Sequence, residues 1–431
     1  MLRPQLAEFM RRMDPNSVAV FSSAREATRS NDTNYRYRQD SDFYYLTGFD
    51  EPEAIAVIAP AKEEQRYTLF VRPRDPEREI WDGRRAGVEG AVKDYGADAA
   101  FPVLEFAEKF DALVNGARAL YYRIGVDSAL DDMILNQIKR MRAGSRRNIY
   151  APEAIIDPAV LLHEMRLIKN EDEIAIMQRS ADIAAEAHHE AMKQARPGMR
   201  EYELEALIEY IFRKNGASAP AYTSIIGGGA NATVLHYVSN DATLRDGDLL
   251  LIDAGAEYNG YASDITRTFP VAGRYTPAQR DIYDLVLEAQ IACTGMVQPG
   301  VTIDELHNRS VEILTEGMVR LGLLTGDPQK LIEEGEYKRF YMHRLGHYLG
   351  MDVHDVGRYH SEGQSRALEP GIVITIEPGL YIAQNAENIP DKYRGIGVRI
   401  EDDVLVTNEG HRVLTGKAPK QAEEIEQLMA R

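Results

Sequence analysis

Residues 249–268 read Leu-Leu-Leu-Ile-Asp-Ala-Gly-Ala-Glu-Tyr-Asn-Gly-Tyr-Ala-Ser-Asp-Ile-Thr-Arg-Thr. Asn259-Gly260 is the dipeptide best suited to a two-residue type I′ turn, so the stretch is expected to fold into a hairpin. That turn sets the register: Tyr258 faces Tyr261, Gly255 faces Asp264, and Asp253 faces Thr266. Asp253 and Asp264 are then diagonal neighbours on one face, roughly 7–8 Å apart between backbones and closer at their side chains. Two acids pointing inward from a hairpin that starts Leu-Leu-Leu-Ile repel each other unless a cation sits between them. A divalent metal, or a pair of them, is the simplest such cation. Two solvent-facing aspartates near a turn are the plainer alternative, and the hairpin alone leaves both open.

A chain of 431 residues is too long for one ordinary core and points to two or three domains. Its 68 acidic residues outnumber 50 basic ones, and the net charge of −18 disfavours non-specific binding to nucleic acid or anionic membrane. Cys293 is the single cysteine, so no internal disulfide can form, which suits a reducing compartment. It lies in an apolar helical run and reads as a small core residue. No run approaches the ~20 apolar residues of a membrane span. Residues 1–13 are amphipathic and charged, without the apolar centre of a secretory signal. The expected compartment is the cytoplasm.

Apolar, β-branched runs at 17–24, 54–60 and 66–72 predict strands, with helical patterns at 3–13, 85–95, 104–114 and 128–141. Xaa-Pro steps at Ala151-Pro152 and Asp157-Pro158 place a domain boundary near 160. Asn170 followed by Glu173 forms a capping box that opens a helix running to about Gln194, before Pro197-Gly198. His188 and His189 on it read as surface or packing residues. A second helix covers 202–214, and a strand around 222–226 leads to Gly227-Gly228-Gly229, read as a flexible loop rather than a phosphate site. Helices recur at 277–297 and 303–322, followed by strands at 371–377, 379–383 and 396–407. Residues 421–431 read as a short polar helix. The order, a helix pair and then strands, occurs twice (170–270 and 277–407) and implies an internal pseudo-repeat.

Four further stretches carry chemistry. His343 and His347 have the spacing of two imidazoles sharing a metal on a helix, but Arg344 stands where a zincin needs its glutamate. Gly346 and Gly350 argue for a close-packed turn, so one histidine is expected as ligand and the other as an acid, base or substrate contact. His354 follows within the same twelve residues. Glu377 ends the apolar run 371–376, where an ionised carboxylate needs a cationic partner, or else caps the Pro378-Gly379 turn. Arg399 and Glu401 share a strand face and could form a plain ion pair. His236 is a fourth candidate imidazole. Taken together, Asp253, Asp264, His347, Glu377 and Glu401 offer four carboxylates and one imidazole and no thiolate. Such a set suits Mn²⁺ or a similar divalent ion. It exceeds what one catalytic zinc takes and fits two metals about 3.5–4 Å apart.

With those residues in place, the chain resembles the Xaa-Pro aminopeptidases (aminopeptidase P), which share the pita-bread fold with prolidase, methionine aminopeptidase and creatinase. The likeness is carried by DAGAEYNGYASDITRTF (253–269), HRLGHYLGMDVHD (343–355), TIEPGLYI (375–382) and GVRIEDD (397–403). In the first half it is carried by YRQDSDFYYLTGF (37–49) and EIWDGRRAG (79–87). Arg344 is a departure, since a glycine often follows the first histidine, and it alters the rim on the S1 side.

The resemblance implies an α/β (α+β) protein, with an aminopeptidase P-type domain at 1–160 and a pita-bread catalytic domain at 161–431. It implies two divalent ions, most often Mn²⁺ with Co or Zn as alternatives. Asp253 would chelate one, His347 and Glu377 the other, and Asp264 and Glu401 would bridge them around a hydroxide. His343 and His354 would hold the carbonyl and its oxyanion or relay protons, and His236 would contact substrate near the proline. Arg399 would stand behind them, near Glu401 and His354. Asp32 and Trp81 would reach a neighbouring subunit's site in a homo-oligomer, a dimer or tetramer; a packing role is the other reading of Trp81. The substrates implied are peptides with proline second. Prolidase takes only dipeptides, a creatinase-like enzyme lacks the five ligands, and a non-catalytic relative would not need His343 and His354.

Overall fold

The computed structural model describes residues 2–430 and divides into two compact units, one up to Met165 and one from Arg166. In the N-terminal unit, six strands form one sheet in the order Ala99–Pro102, Tyr67–Val71, Ile55–Ile58, Ser17–Ser22, Ala119–Tyr121, Ala154–Ile156. Ser17–Ser22 pairs antiparallel with Ile55–Ile58 and parallel with Ala119–Tyr121. Helices Pro4–Arg12, Gly87–Lys93, Phe106–Val114 and Ser128–Arg142 stand where the apolar periodicity expects them. Phe106, Phe110, Leu113, Ile134 and Ile138 pack with Val18, Val57, Phe70 and Leu120 into its core. The strands at 99, 119 and 154 were not expected, because runs of three or four residues carry too little alternation to read.

The C-terminal unit is built twice over on one plan. Helices Glu171–Gln194 and Glu201–Lys214 precede a first ribbon of paired strands; Pro277–Met296 and Ile303–Arg320 precede a second. Capping boxes at Asn170/Glu173, Thr276/Gln279 and Thr302/Glu305 satisfy backbone N–H groups at three of these helix starts. The apolar faces of the helices, such as Ile183, Ala187, Phe212, Tyr283, Val286 and Leu314, close over the ribbons as one core.

In the first ribbon Tyr258 pairs with Tyr261 and Asp253 with Thr266, as the Asn259-Gly260 turn dictates. The ribbon is nevertheless not one sheet. Leu249–Asp253 and Thr266–Pro270 join Ile225–Gly228, while Ala256–Tyr258 and Tyr261–Ala262 join Ala219–Pro220. The ladder breaks between, at Ala254-Gly255 and Ser263 to Ile265. A Cβ on Gly255 would overlap the Ser263 carbonyl oxygen, so the two arms cross there at backbone contact. The second ribbon has the same design: Ile376 pairs with Asp402 and Gly379 with Arg399, in two different sheets. Glu377 and Glu401 stand at its break, where the sequence reads one continuous strand over 396–407.

Other expectations are corrected here. Gly227 and Gly228 close a strand and Gly229 opens a short 3₁₀ turn, in place of a flexible loop. A Cβ on Gly227 would press on the backbone of Asn231 and Ala232, so the glycines serve close packing. The tail helix Ala422–Met429 buries Ala422, Ile425 and Met429 and is amphipathic rather than polar. Among the described residues no helix is long and apolar enough to cross a membrane.

Candidate metal centre

The breaks of the two ribbons face one cavity of about 1010 Å³ in the C-terminal unit. A ladder interruption frees a side chain from the pleat's fixed alternation, and each break presents two carboxylates: Asp253 and Asp264 from the first, Glu377 and Glu401 from the second. Cross-ribbon bonds hold them together. The Glu401 N–H donates to Thr266 O at 3.1 Å, and the Asp264 N–H donates to Asp403 Oδ2 at 3.1 Å.

The fifth member comes from the irregular segment after Tyr341. The segment is not helical, in keeping with Gly346 and Gly350, each of which has no room for a Cβ: one abuts the Thr375 carbonyl, the other Asp355 Oδ2. His347 N–H donates to Thr375 Oγ1 at 3.0 Å, and that hydroxyl donates to Glu377 Oε1 at 3.2 Å. His347 Nδ1 lies 3.0 Å from Tyr348 O. A carbonyl only accepts, so Nδ1 carries a proton and Nε2 is the nitrogen that faces the acids. Nε2 is 3.5 Å from Asp264 Oδ2 and 3.6 Å from Glu377 Oε1. Ligand atoms of Asp264, His347 and Glu401 all lie within 4.8 Å of one another.

Electrostatics state what this cluster lacks. Burial, then the charge of Asp253, raises Asp264; burial raises Glu377 to about 7; burial and the charges of Asp264 and Glu377 raise Glu401 well above a carboxylate's usual range. Burial pulls His347 down, but its bond to Asp264 and the charge of Glu377 more than reverse this and leave it at about 9. Protein groups alone therefore hold too little positive charge for these acids, and hard oxygen donors with one imidazole fit divalent cations.

Among the described residues, Arg399 is the one guanidinium in the cavity wall that meets the clustered acids directly. Its Nη2 donates to Asp253 Oδ2 at 2.5 Å, Nη1 to the Tyr381 hydroxyl at 3.0 Å, and Nε to Thr266 Oγ1 at 3.1 Å. The ion pair that Arg399 could have formed with Glu401 is made with Asp253 instead. Glu401 Oε2 accepts from the Thr266 hydroxyl at 2.6 Å. The strand crossing at Ile400 turns the two side chains to different neighbours, although they are two residues apart.

His343 Nδ1 lies 2.7 Å from Arg344 O, which puts the ring proton there, so Nε2 accepts from the Tyr381 hydroxyl at 2.8 Å. Burial, then the Arg399 charge, lowers His343 to about 4 and keeps it neutral. His354 packs edge-on against His347 with ring centroids 4.3 Å apart, and burial followed by the His347 charge lowers it. His354 and His236 are both exposed on the cavity wall. Asp32 and Trp81 belong to the N-terminal unit; both are exposed, and Trp81 is 83% accessible, so it does not pack into that unit's core.

Two residues escaped the sequence reading. The Tyr222 hydroxyl donates to Asp253 Oδ1 at 2.6 Å and also bridges to Asp264 Oδ1. Tyr381 joins Arg399 to His343. Tyr381 carries a usable signal, four residues beyond Glu377 in TIEPGLYI; nothing around Tyr222 announces it.

Comparison with known proteins gives the family. Metallopeptidase family M24 matches residues 175–408, and the N-terminal domain of aminopeptidase P matches residues 3–121. The chain is 47% identical over 430 residues to the Xaa-Pro aminopeptidase of Escherichia coli (strain K12), covering 98% of this chain and 97% of that one. It superposes on Pseudomonas aeruginosa aminopeptidase PepP with a TM-score of 0.97 at 50% identity, over 99% of this chain and 96% of that. A zinc-substituted E. coli aminopeptidase P in complex with product gives a TM-score of 0.95 at 46% identity, covering 100% and 99%.

Proposed function

The chain belongs to metallopeptidase family M24, with the N-terminal domain of aminopeptidase P and a pita-bread domain, and from that premise we propose how it works. It is a metal-dependent Xaa-Pro aminopeptidase, hydrolysing the bond between an N-terminal residue and a following proline. The observation that carries this reading is the convergence of three buried carboxylates, the half-buried Glu377 and one imidazole with its Nε2 turned towards them at the paired ribbon breaks.

Asp253, Asp264, His347, Glu377 and Glu401 would hold two divalent ions, for which the donor set favours Mn²⁺ over zinc. Ions bound there supply an activated water at neutral pH and polarise the scissile carbonyl. The chain's own groups do the rest. Glu377 is suited to take a proton from the attacking water and return it to the departing proline nitrogen. The C–O bond forms as the proton leaves water, and the C–N bond breaks as the proton arrives. His354 would face the carbonyl oxygen and support its developing charge. His343, held neutral, would bind substrate with the Tyr381 hydroxyl while Arg399 steadies both Tyr381 and Asp253. His236 would contact the proline from the exposed wall, and acidic groups such as Asp253 would receive the free amine. In a homo-oligomer, dimer or tetramer, Asp32 and Trp81 would serve a neighbouring copy's cavity. The fully reduced, acidic chain suits the cytoplasm.

A substrate series at fixed Mn²⁺ tests the reading. Xaa-Pro-Yaa and longer peptides should be cleaved with kcat/KM at least equal to that of Xaa-Pro dipeptides. Peptides without proline second should be poor, and acetylation of the amine should abolish turnover. Cleavage confined to dipeptides would assign the chain to a dipeptidase instead.

A further inference from the structure

We propose that Arg344 determines specificity by receiving a carboxylate that the peptide carries beyond its proline, an inference that rests on the aminopeptidase reading and adds a substrate class to it. Arg344 lines the same cavity as the five ligands but at its mouth, with 57% of its side chain exposed against 7% for Asp264. One nitrogen, Nη2, pairs with Asp304 Oδ1; among the described residues its Nε and Nη1 make no hydrogen bond. Asp304 lies in the first turn of the helix Ile303–Arg320, and its other oxygen, Oδ2, stands 3.1 Å from His360 Nε2. A single carboxylate thus anchors two nitrogen-bearing side chains at the mouth and leaves two guanidinium nitrogens unbonded on a residue that lines the cavity.

The cavity is therefore polarised along its length. Its inner end holds four carboxylates, suited to metal ions and a free amine, and its outer end presents a cationic fork. A peptide entering amine first runs outward past the proline, and its next carboxylate meets Arg344, which on this reading serves the side beyond the proline and not the S1 side that the sequence suggests. Guanidinium recognises carboxylate by paired N–H donors, which gives direction as well as attraction. Without Arg344, the same rim would offer Asp304 and repel that group. The carboxylate has two sources: the peptide's own terminus, or an acidic side chain.

The test uses the full-length, manganese-loaded enzyme and two matched substrate pairs. Xaa-Pro-Gly as free acid against its amide probes the terminus; Xaa-Pro-Gly-Glu-amide against Xaa-Pro-Gly-Gln-amide probes the side chain. The carboxylate member of at least one pair should have a kcat/KM about three- to tenfold higher, mostly through KM, as expected of a half-exposed ion pair. The advantage should fall below about twofold in Arg344→Ala and survive in part in Arg344→Lys. Arg344→Gln, closer in size, repeats the measurement if the alanine variant does not fold. Ratios near one in both pairs with the wild-type enzyme, or ratios unchanged in Arg344→Ala, overturn the proposal while the aminopeptidase reading stands. Failure to cleave any Xaa-Pro peptide overturns that reading and this inference with it.

Discussion

Removing one of the clustered acids should have a different consequence from removing a wall histidine, and the pair of substitutions separates binding from chemistry. Glu401→Ala or Asp264→Ala should lower bound Mn²⁺ and turnover together, measured by elemental analysis and peptide assay. His354→Ala should keep its metal and lower kcat by roughly 10²–10⁴-fold. Loss of metal in His354→Ala would make it a ligand and refute its assigned role. His188 offers a second measurement. It is wholly buried, its Nε2–H donates to Ala254 O at 3.0 Å, and burial lowers its pKa from 6.5 to about 4. The unfolded chain therefore binds a proton that the folded chain refuses. The stability is whole above pH 6.5 and falls as pH drops towards 4, by about 2 kcal/mol at pH 5. In His188→Gln, which keeps a donor to Ala254, the urea midpoint should lose that share of its pH dependence between 7.5 and 5. The convergence of the acids was legible because acids at the ends of apolar strands are chemically out of place. The partners of Tyr222 and Arg399 were not, since a hydroxyl or guanidinium gains its neighbour only when distant strands meet.

At the scale of elements, the wall that bears His236 depends on one helix start. Glu201 begins the helix Glu201–Lys214 and is fully buried. Its Oε1 accepts from the Gly228 N–H at 2.8 Å and Asn231 Nδ2 at 3.0 Å, and its Oε2 from the Tyr237 hydroxyl and the Ala242 N–H, each at 2.8 Å. Glu201→Gln turns two acceptor places into a donor facing donors, at a cost of about 1–3 kcal/mol. Hydrogen exchange across 229–242 should quicken and KM should rise, with Mn²⁺ content kept; unchanged exchange would refute the role. The Asn259-Gly260 turn predicted the first ribbon's register along its length, because a type I′ turn counts residues outward from itself. It could not predict the break at Gly255, which arises from contact with Ser263 across the ribbon. The doubled order of helices and strands was likewise visible, but not that each copy opens to show two acids.

On the scale of the whole molecule, the two units have separate cores, and only one holds the acids. Chelation with EDTA should therefore destabilise the C-terminal unit alone. Saturating Mn²⁺ at a hundred times its dissociation constant contributes about 2.7 kcal/mol, or roughly 5–10 °C in the Tm of a unit this size. Scanning calorimetry should show that transition move on chelation and return with Mn²⁺, while the other stays. A shift of both, or neither, would contradict the assignment. Behind the acids lies Arg267, fully buried, with Nη1 on Glu401 O at 2.5 Å and Nη2 on Asp402 Oδ1 at 2.7 Å. The same guanidinium donates to Ala418 O at 2.9 Å and Pro419 O at 3.1 Å, and Lys420 Nζ reaches Asp402 Oδ2 at 2.6 Å. The family match ends at residue 408, short of all three. A chain trimmed there would retain every signature residue and yet lose its keel. Family membership would be undamaged and competence gone, so a nicked or shortened homologue should be judged by its last turns before its motifs.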